Sequence, residues 1–325
     1  MRRREFIAAS IAALSPVARA QQQPIPVIGL LGSASPLQWN KRLRAYRQGL
    51  IEGGYTENKN VIIEYRWSDG HNDRLPSLVA DLVRKKVQVI AVLGNTSSTL
   101  AAKAATSVIP IVFRVAVDPI EAGFAVSLSR PGGNLTGVTT LGVQLAAKQL
   151  ELLHELVPGA TIVGALINPA NPILAKMQSR DLPAQARRIG LSIKVLAATS
   201  DRDLEVVFRE LADSRIGGLV IGADAFFNSR NEKMAELAAN HQIPTISPYS
   251  EFAEAGGLMS YGGNIADASR QAGVYTARIL KGEKPADLPI QQVAKIELVI
   301  NLRTARLLRL DVPNSIIARA DEVIE

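Results

Sequence analysis

Apolar runs of strand length alternate with amphipathic helical patterns along most of this chain. In the first half, the runs lie at 26–32, 60–67, 87–94 and 109–115. Between them, apolar residues such as Leu75, Val79 and Leu82 recur every three or four positions, which is the spacing of one helix face. Strands that alternate with helices pair in parallel through right-handed crossovers. The pattern therefore predicts an α/β fold with a doubly wound parallel sheet.

The alternation stops at a segment rich in glycine and threonine, 130–142, and then starts again. New apolar runs lie at 161–169, 191–199, 216–224 and 242–250, which predicts a second doubly wound unit. A strand, a helix, an extended Pro-marked piece and a last strand with a short helix follow. Because these late elements must complete sheets begun earlier, we expect the chain to cross between two lobes more than once. The predicted lobes are 24–138 with 258–290 and 139–257 with 291–325.

The first twenty residues, MRRREFIAASIAALSPVARA, have the layout of a cleavable export signal. A charged start with three arginines is followed by an apolar stretch and a small-residue end, Ala18-Arg19-Ala20. The pair Arg3-Arg4 resembles a twin-arginine targeting core, and both export routes remain open. The apolar run at 6–14 is too short to span a bilayer. We therefore expect 1–20 to be removed and the mature protein to be soluble in the periplasm.

Composition and charge exclude several classes of protein. Without the first twenty residues, which carry four Arg and one Glu, the net charge falls from +7 to +4. That charge is too mild to indicate nucleic-acid binding, and no dense Lys/Arg run with interleaved aromatic residues is present. The chain has no cysteine, so disulfides, thiolate metal sites and Cys nucleophiles are excluded.

The sequence also lacks the motifs of common enzymes and metal sites. No phosphate-binding P-loop, G-x-G-x-x-G turn, G-x-S-x-G elbow or H-E-x-x-H pair occurs. The stretch SDGHND at 68–73 lacks the glycine and the closing glutamate of a calcium loop. It is better explained as the start of a helix, with Asn72 or Asp73 as the N-cap. We predict no catalytic residue, no metal and no cofactor.

Short polar turns directly follow most of the predicted strands. Parallel strands place their carboxyl ends at one edge of a sheet, and two facing lobes would bring these edges together across a cleft. The same residue types are also the ordinary N-caps of helices, so each residue has a structural alternative. The candidate ligand-binding residues in these turns are Ser33, Asn95, Thr96, Asp118, Thr139, Asn168 and Asp224.

These turns combine two kinds of polar group. Hydroxyls and free N–H groups at a helix N-terminus suit a carboxylate, and VLGNTSSTLAAKAAT at 92–106 has the pattern of a strand, a turn and such a terminus. A carboxylate such as Asp118 or Asp224 suits an ammonium group. A site with both would bind an amino acid or another small zwitterion. The aromatic residues near these turns, any of which could cover an apolar side chain, are Trp39, Phe226, Phe227, Tyr249 and Tyr261.

Several long segments carry a family resemblance over essentially the whole mature chain. They include IPIVFRVAVDPIEAGFAVSLSRPGGNLTGV, NPANP, AGGLMSYG and the closing block ELVINLRTARLLRLDVPNSIIARADEVIE. Together these segments resemble the substrate-binding proteins of bacterial ABC importers, a family that includes binders of tryptophan and other aromatic amino acids. The resemblance implies a periplasmic-binding-protein type I fold, in which two Rossmann-like lobes with parallel sheets are joined by three crossovers.

The resemblance also implies a function. It indicates a monomer without catalysis that closes on a small ligand and delivers it to an ABC permease in the membrane. It adds Tyr261 to the candidate ligand-binding residues and favours Asp224 as the partner of an ammonium group. A sensing role for a signalling receptor on the same fold is the alternative, and an enzyme on the same two lobes is a further one. The identity of the ligand does not follow from the resemblance.

Overall fold

The computed structural model describes residues 24–33, 35, 36, 39–214 and 216–325. The predicted export signal, 1–20, lies outside the described residues. Within the described part of the chain, no helix combines the length and the apolar character that a membrane crossing requires. The elements below are numbered along the chain.

The first sheet is entirely parallel. Its strands are β1 (Val27–Gly32), β2 (Ile62–Trp67), β3 (Val89–Val92), β4 (Ile111–Val115), β5 (Leu135–Thr139) and β11 (Gln291–Gln292). Their order across the sheet is β2-β1-β3-β4-β5-β11. β3, β4 and β5 are buried along their whole length, which explains why they read as continuous apolar runs rather than as alternating ones.

The second sheet is parallel except at one pair. Its strands are β6 (Ile162–Ile167), β7 (Ser192–Ala197), β8 (Leu219–Ile221), β9 (Thr245–Ser247), β10 (Met259–Gly263), β12 (Ile296–Asn301) and β13 (Glu322–Ile324). Their order is β7-β6-β8-β9-β10-β12-β13. The pair β10 and β12 is antiparallel.

Helices cover both faces of each sheet. They are α1 (Asn40–Glu52), α2 (Leu75–Arg84), α3 (Thr96–Ala105), α4 (Ala146–Leu156), α5 (Pro172–Arg188), α6 (Asp201–Ala212), α7 (Ala225–Asn228), α8 (Asn231–Asn240), α9 (Ser250–Glu254), α10 (Ile265–Leu280), α11 (Leu302–Leu307) and α12 (Asn314–Ile317).

The apolar core of each lobe lies on both sides of its sheet. In the first lobe, Leu31 belongs to the cluster on one side and Leu30 to the cluster on the other. In the second lobe, Ile300 and Leu166 belong in the same way to two separate clusters. Two doubly wound α/β lobes result, as the sequence pattern predicts.

Within the described residues, the chain passes between the two lobes three times. The first passage follows Thr139, the second lies at Asn264, and the third lies between β11 and β12. They agree with the three crossovers that the family resemblance implies.

Two strands lie in a different sheet from the one that the predicted lobe limits imply. β10, within the 258–290 segment assigned to the first lobe, pairs with β9 and β12 of the second sheet. β11, within the 291–325 segment assigned to the second lobe, pairs with β5 of the first. An apolar run indicates a strand but not the sheet that it joins, because the pairing depends on distant segments. The pairing of these two strands therefore places the limits between the lobes at about Asn264 and Gln292.

Two local predictions differ from the structure. The segment 130–142, interpreted as a break, contains β5, whose five residues are all buried. The segment at 72–74 is a short 3₁₀ turn, and α2 begins after it with Arg74 at the N-cap position. Asn72 does not cap this helix. Its side-chain amide instead donates to the backbone oxygen of Ala170 in the other lobe, at 3.0 Å.

The helices α1 and α10 pack at very close range through two glycines. A Cβ atom on Gly49 would lie 1.9 Å from the backbone oxygen of Arg270, and one on Gly273 would lie 2.1 Å from that of Tyr46. Because both obstructing atoms belong to backbone, no side-chain rotation can relieve the overlap. This contact fixes α10, which lies next to a crossover, against the first lobe.

We expect Gly273→Ala to destabilise the first lobe by about 1–3 kcal/mol, since the added methyl group must push the two helices apart. Chemical denaturation followed by circular dichroism measures the change. Gly159→Ala is the matched control, because a Cβ at that position meets no atom within 4 Å. Equal stabilities of the two variants would contradict the close packing of α1 and α10.

Candidate functional site

The carboxyl ends of four strands define where a ligand can bind. In a doubly wound sheet, the crevice lies where neighbouring strands lead to helices on opposite faces. The strand orders place this point between β1 and β3 in the first lobe, and between β6 and β8 in the second. Ser33 and Asn95 follow the first pair of strands, and Asn168 and Asp224 follow the second.

A cavity lies between the lobes at these strand ends. About 340 Å³ there is not filled by protein atoms, a volume that includes space open to solvent. Its lining comes from both lobes: Arg42, Gly94, Asn95, Thr96, Arg114, Val115, Ala116, Leu174, Ala223, Asp224, Ala225, Asn228, Tyr249 and Ile265. Three of the predicted residues, Asn95, Thr96 and Asp224, are therefore brought together here.

The two lobes touch beside this cavity. The Ser97 hydroxyl lies 3.4 Å from Oδ1 of Asn171, and Nη2 of Arg42 lies 3.2 Å from Oε1 of Glu251. Lys41 forms a second ion pair across the cleft, with Glu254. The cavity is thus bordered by polar contacts between the lobes.

Asn95 and Thr96 form the first turn of α3. Asn95 is the N-cap, and its Oδ1 accepts from the amide of Ser98 at 2.8 Å and from the Ser98 hydroxyl at 3.0 Å. The amides of Thr96 and Ser97 have no acceptor within the helix, as is general for a first turn. Asn95 therefore both caps the helix and lines the cavity, although the sequence left these two roles as alternatives.

Asp224 is a buried carboxylate at the end of β8, with 3 % of its surface exposed. Its Oδ1 accepts from Asn168 at 2.8 Å and from the amide of Phe226 at 2.8 Å, and its Oδ2 accepts from Asn171 at 3.1 Å. Burial raises the pKa of Asp224, while these hydrogen bonds act in the opposite direction. The carboxyl group is held in place by neutral donors, and no cationic side chain is bonded to it among the described residues.

We expect the raised pKa of Asp224 to give the ligand-free protein a specific pH dependence. Between the ordinary value of 3.8 and the raised native value, the folded state binds more protons than the unfolded chain. The contribution of this group to stability therefore decreases as pH rises across that window. Asp224→Asn removes this contribution. Urea unfolding of both proteins at a series of pH values tests it, and a stability difference that is constant with pH would contradict the expectation.

Two arginines also line the cavity, and neither was among the predicted site residues. Arg42 lies in α1 and Arg114 in β4, and each is only 3 % exposed. Both guanidinium groups lie over the ring of Trp39, at 5.4 Å and 6.0 Å from its centroid. Trp39 is thus buried beneath the two cations, where it supports them through cation–π contacts.

The structure places four of the five predicted aromatic residues away from the cavity. Trp39 lies beneath the arginines, Phe227 is in the apolar core of the second lobe, Phe226 contacts Arg230, and Tyr261 packs against the other core cluster of that lobe. Tyr249 is the one that lines the cavity. It forms an apolar cluster with Ala116, Ala223 and Ile265.

Ser33 and Asn168 lie behind the cavity rather than on its surface. The Ser33 side chain is buried, and its hydroxyl has no hydrogen-bond partner among the described residues. Asn168 donates to Asp224 and accepts from the amide of Ala170 at 3.0 Å. Asn168 therefore positions Asp224.

Asp118, Thr139 and Tyr261 do not line the cavity either. Oδ1 of Asp118 accepts from the amides of Ile120 and Glu121, at 2.7 Å and 3.2 Å, as in a turn or cap. The Thr139 hydroxyl donates to the backbone oxygen of Val117 at 3.0 Å. The backbone oxygen of Tyr261 accepts from Gln149 at 2.8 Å. These contacts stabilise turns and strand ends.

One sequence signal points to Arg114. It is the single charged residue in the apolar stretch IPIVFRV, and such a residue inside a buried strand needs polar partners or a polar cavity. Arg42 has no comparable signal, because an arginine in an amphipathic helix normally faces solvent. Its burial depends on Trp39 and on Glu251 of the other lobe.

The fold and the site define a two-lobed α/β binding protein similar to type I periplasmic binding proteins. Among the described residues, no group of His, Asp and Glu side chains has the arrangement of a metal site. Polar groups at the ends of parallel strands, facing a cavity between two lobes, can hold a small charged molecule.

Comparison with known proteins identifies the family. The family model described as "ABC transporter substrate binding protein" matches residues 39–324. The chain belongs to this family of ABC transporter substrate-binding proteins.

Three relatives illustrate this similarity. A tyrosine-binding protein of Clostridioides difficile is 25% identical over 270 residues, which cover 83% of this chain and 76% of that protein. The crystal structure of an ABC domain in complex with L-Trp from Streptococcus pneumoniae has a TM-score of 0.83 and 25% identity, covering 92% of this chain and 99% of that one. The structure of a conserved domain protein from Vibrio cholerae has a TM-score of 0.84 and 24% identity over the same shares.

Proposed function

We propose that this protein binds an amino acid in the cavity between its lobes and delivers it to an ABC permease. The observation that carries the proposal is a pair of buried opposite charges on that cavity, Arg114 from the first lobe and Asp224 from the second. A zwitterion supplies a partner of the right sign to each. The names of two relatives support this ligand class, because one is a tyrosine-binding protein and another was solved with L-Trp.

Part of the cavity lining is apolar and can contact the side chain of a ligand. Leu174, Tyr249 and Ile265 provide apolar contact surface, together with Ala116 and Ala223. Burial of an apolar side chain against such a surface contributes to affinity without restricting its chemistry closely. We therefore propose aromatic amino acids such as tyrosine and tryptophan as the first ligands to test.

Binding and release would proceed by movement of the lobes, without any covalent step. An open form would take up the ligand, and closure would re-form the contacts of Arg42 with Glu251 and of Ser97 with Asn171. The ligand favours the closed form because it contacts both lobes there. The proposal includes a periplasmic location after removal of 1–20, a monomeric protein and no catalytic activity.

We expect Asp224→Asn to weaken amino-acid binding by about 2 kcal/mol or more, because the ligand's ammonium group loses its buried anionic partner. Isothermal titration calorimetry measures the affinity, after a thermal-shift screen of the twenty amino acids has identified which of them stabilise the protein. Asp118→Asn is the matched control, since Asp118 lies outside the cavity. It is expected to bind as the wild type does.

The same thermal-shift screen, extended to a panel of sugars and amine-free acids, tests the ligand class itself. Stabilisation by sugars or by amine-free acids alone would show that the zwitterion assignment is wrong. An affinity in Asp224→Asn equal to that of the wild type would remove Asp224 from the site while leaving the ligand class intact. Turnover of a bound amino acid by the purified protein would contradict the absence of catalysis.

A further inference from the structure

We propose that Arg114 binds the carboxylate of the amino acid, so that the ligand lies with its carboxylate toward the first lobe and its ammonium group toward Asp224 of the second. This inference rests on the proposed function, because it assigns the polarity of the ligand in the same cavity. It also assigns the main role in carboxylate binding to a residue outside the predicted polar turns.

The guanidinium group of Arg114 has donors that the protein leaves unused. Its Nη2 donates to the backbone oxygen of Leu93 and lies 3.4 Å from that of Gly94. Its Nε is buried and has no acceptor among the described residues. A buried donor without an acceptor destabilises the protein. A carboxylate in the cavity would provide the missing acceptor, and it fits the planar guanidinium fork.

Arg114 also has no direct ion pair among the described residues. Arg42, the other arginine on the cavity, pairs with Glu251 at 3.2 Å, whereas no carboxylate of the described residues lies within ion-pair distance of Arg114. Burial lowers the pKa of Arg114 to about 9, and the charge of Arg42 acts in the same direction, while Tyr249 and Glu251 act in the opposite direction. The group is protonated at neutral pH, and it is the cation on this cavity that lacks a carboxylate at ion-pair distance among the described residues.

The N-terminus of helix α3 adds partial positive charge on the side of the cavity where Arg114 lies. Gly94, Asn95 and Thr96 line the cavity beside Arg114, and the first amides of this ten-residue helix carry a partial positive charge. On the opposite side, Asp224 is the carboxylate that lines the cavity. The first lobe thus presents positive charge and the second lobe negative charge, which fixes the orientation of a zwitterion.

Calorimetry with two ligand pairs tests the assignment. L-Tryptophan and L-tyrosine are compared with their carboxamides, which keep the side chain and the ammonium group but lose the negative charge. We expect the wild type to prefer the acids. Arg114→Gln should bind the acids about 30-fold or more weakly and the amides almost unchanged, so that the preference is lost. Arg114→Lys, which keeps the charge without the fork, should show an intermediate preference.

Arg278→Gln is the control for the loss of an arginine. Arg278 is exposed in α10 and pairs with Glu283, so this variant should keep the wild-type preference. Circular dichroism without ligand checks that each variant is folded. If Arg114→Gln does not fold, the wild-type preference and its reduction in Arg114→Lys test the same assignment.

Two results would overturn the inference while the proposed function stands. One is equal binding of acids and amides by the wild type. The other is an equal loss of affinity for acids and amides in Arg114→Gln, which would limit Arg114 to its contacts with Leu93 and Gly94. Failure of all twenty amino acids to bind the wild type would instead refute the proposed function, and the inference with it.

Discussion

Two buried charges of opposite sign, Arg114 and Asp224, face one cavity from different lobes, and the rest of the site depends on them. Burial of an ionised group is costly unless polar partners replace water. Backbone oxygens at 93 and 94 provide such partners for the arginine, and Asn168 and Asn171 provide them for the aspartate. These hydrogen-bond partners are neutral, so neither residue is bonded directly to a side chain of opposite charge among the described residues.

The scaffold brings these groups together through a simple property of parallel sheets. All strands of one direction end at the same edge, and the strand orders open a crevice there in each lobe. The crossover at Asn264 leads directly into α10, whose first residue, Ile265, lines the cavity. Because α10 packs closely on α1, the position of this crossover is fixed relative to the first lobe. The cavity and the connection between the lobes are therefore neighbours in space.

The lobes contact each other through both ion pairs and apolar side chains. The pairs Lys41 with Glu254 and Arg180 with Glu121 are partly exposed, and such ion pairs contribute little free energy in water. Arg42 with Glu251 is more buried and also borders the cavity. Apolar side chains also pack across the interface, since Leu174 and Met177 of α5 belong to a core cluster of the first lobe. This arrangement is consistent with the family to which the chain belongs.

The sequence by itself determined the two doubly wound lobes, most of the strands and the polar turns at their ends, because hydrophobic periodicity and turn chemistry are local properties. It also indicated Asn95, Thr96 and Asp224, which the structure brings to one cavity. The tertiary structure decided which sheets β10 and β11 join, and which polar turns face the cavity rather than stabilise a strand end. It also decided that Arg42 and Arg114 lie there, since their burial depends on Trp39 and on strand ends that only folding brings together.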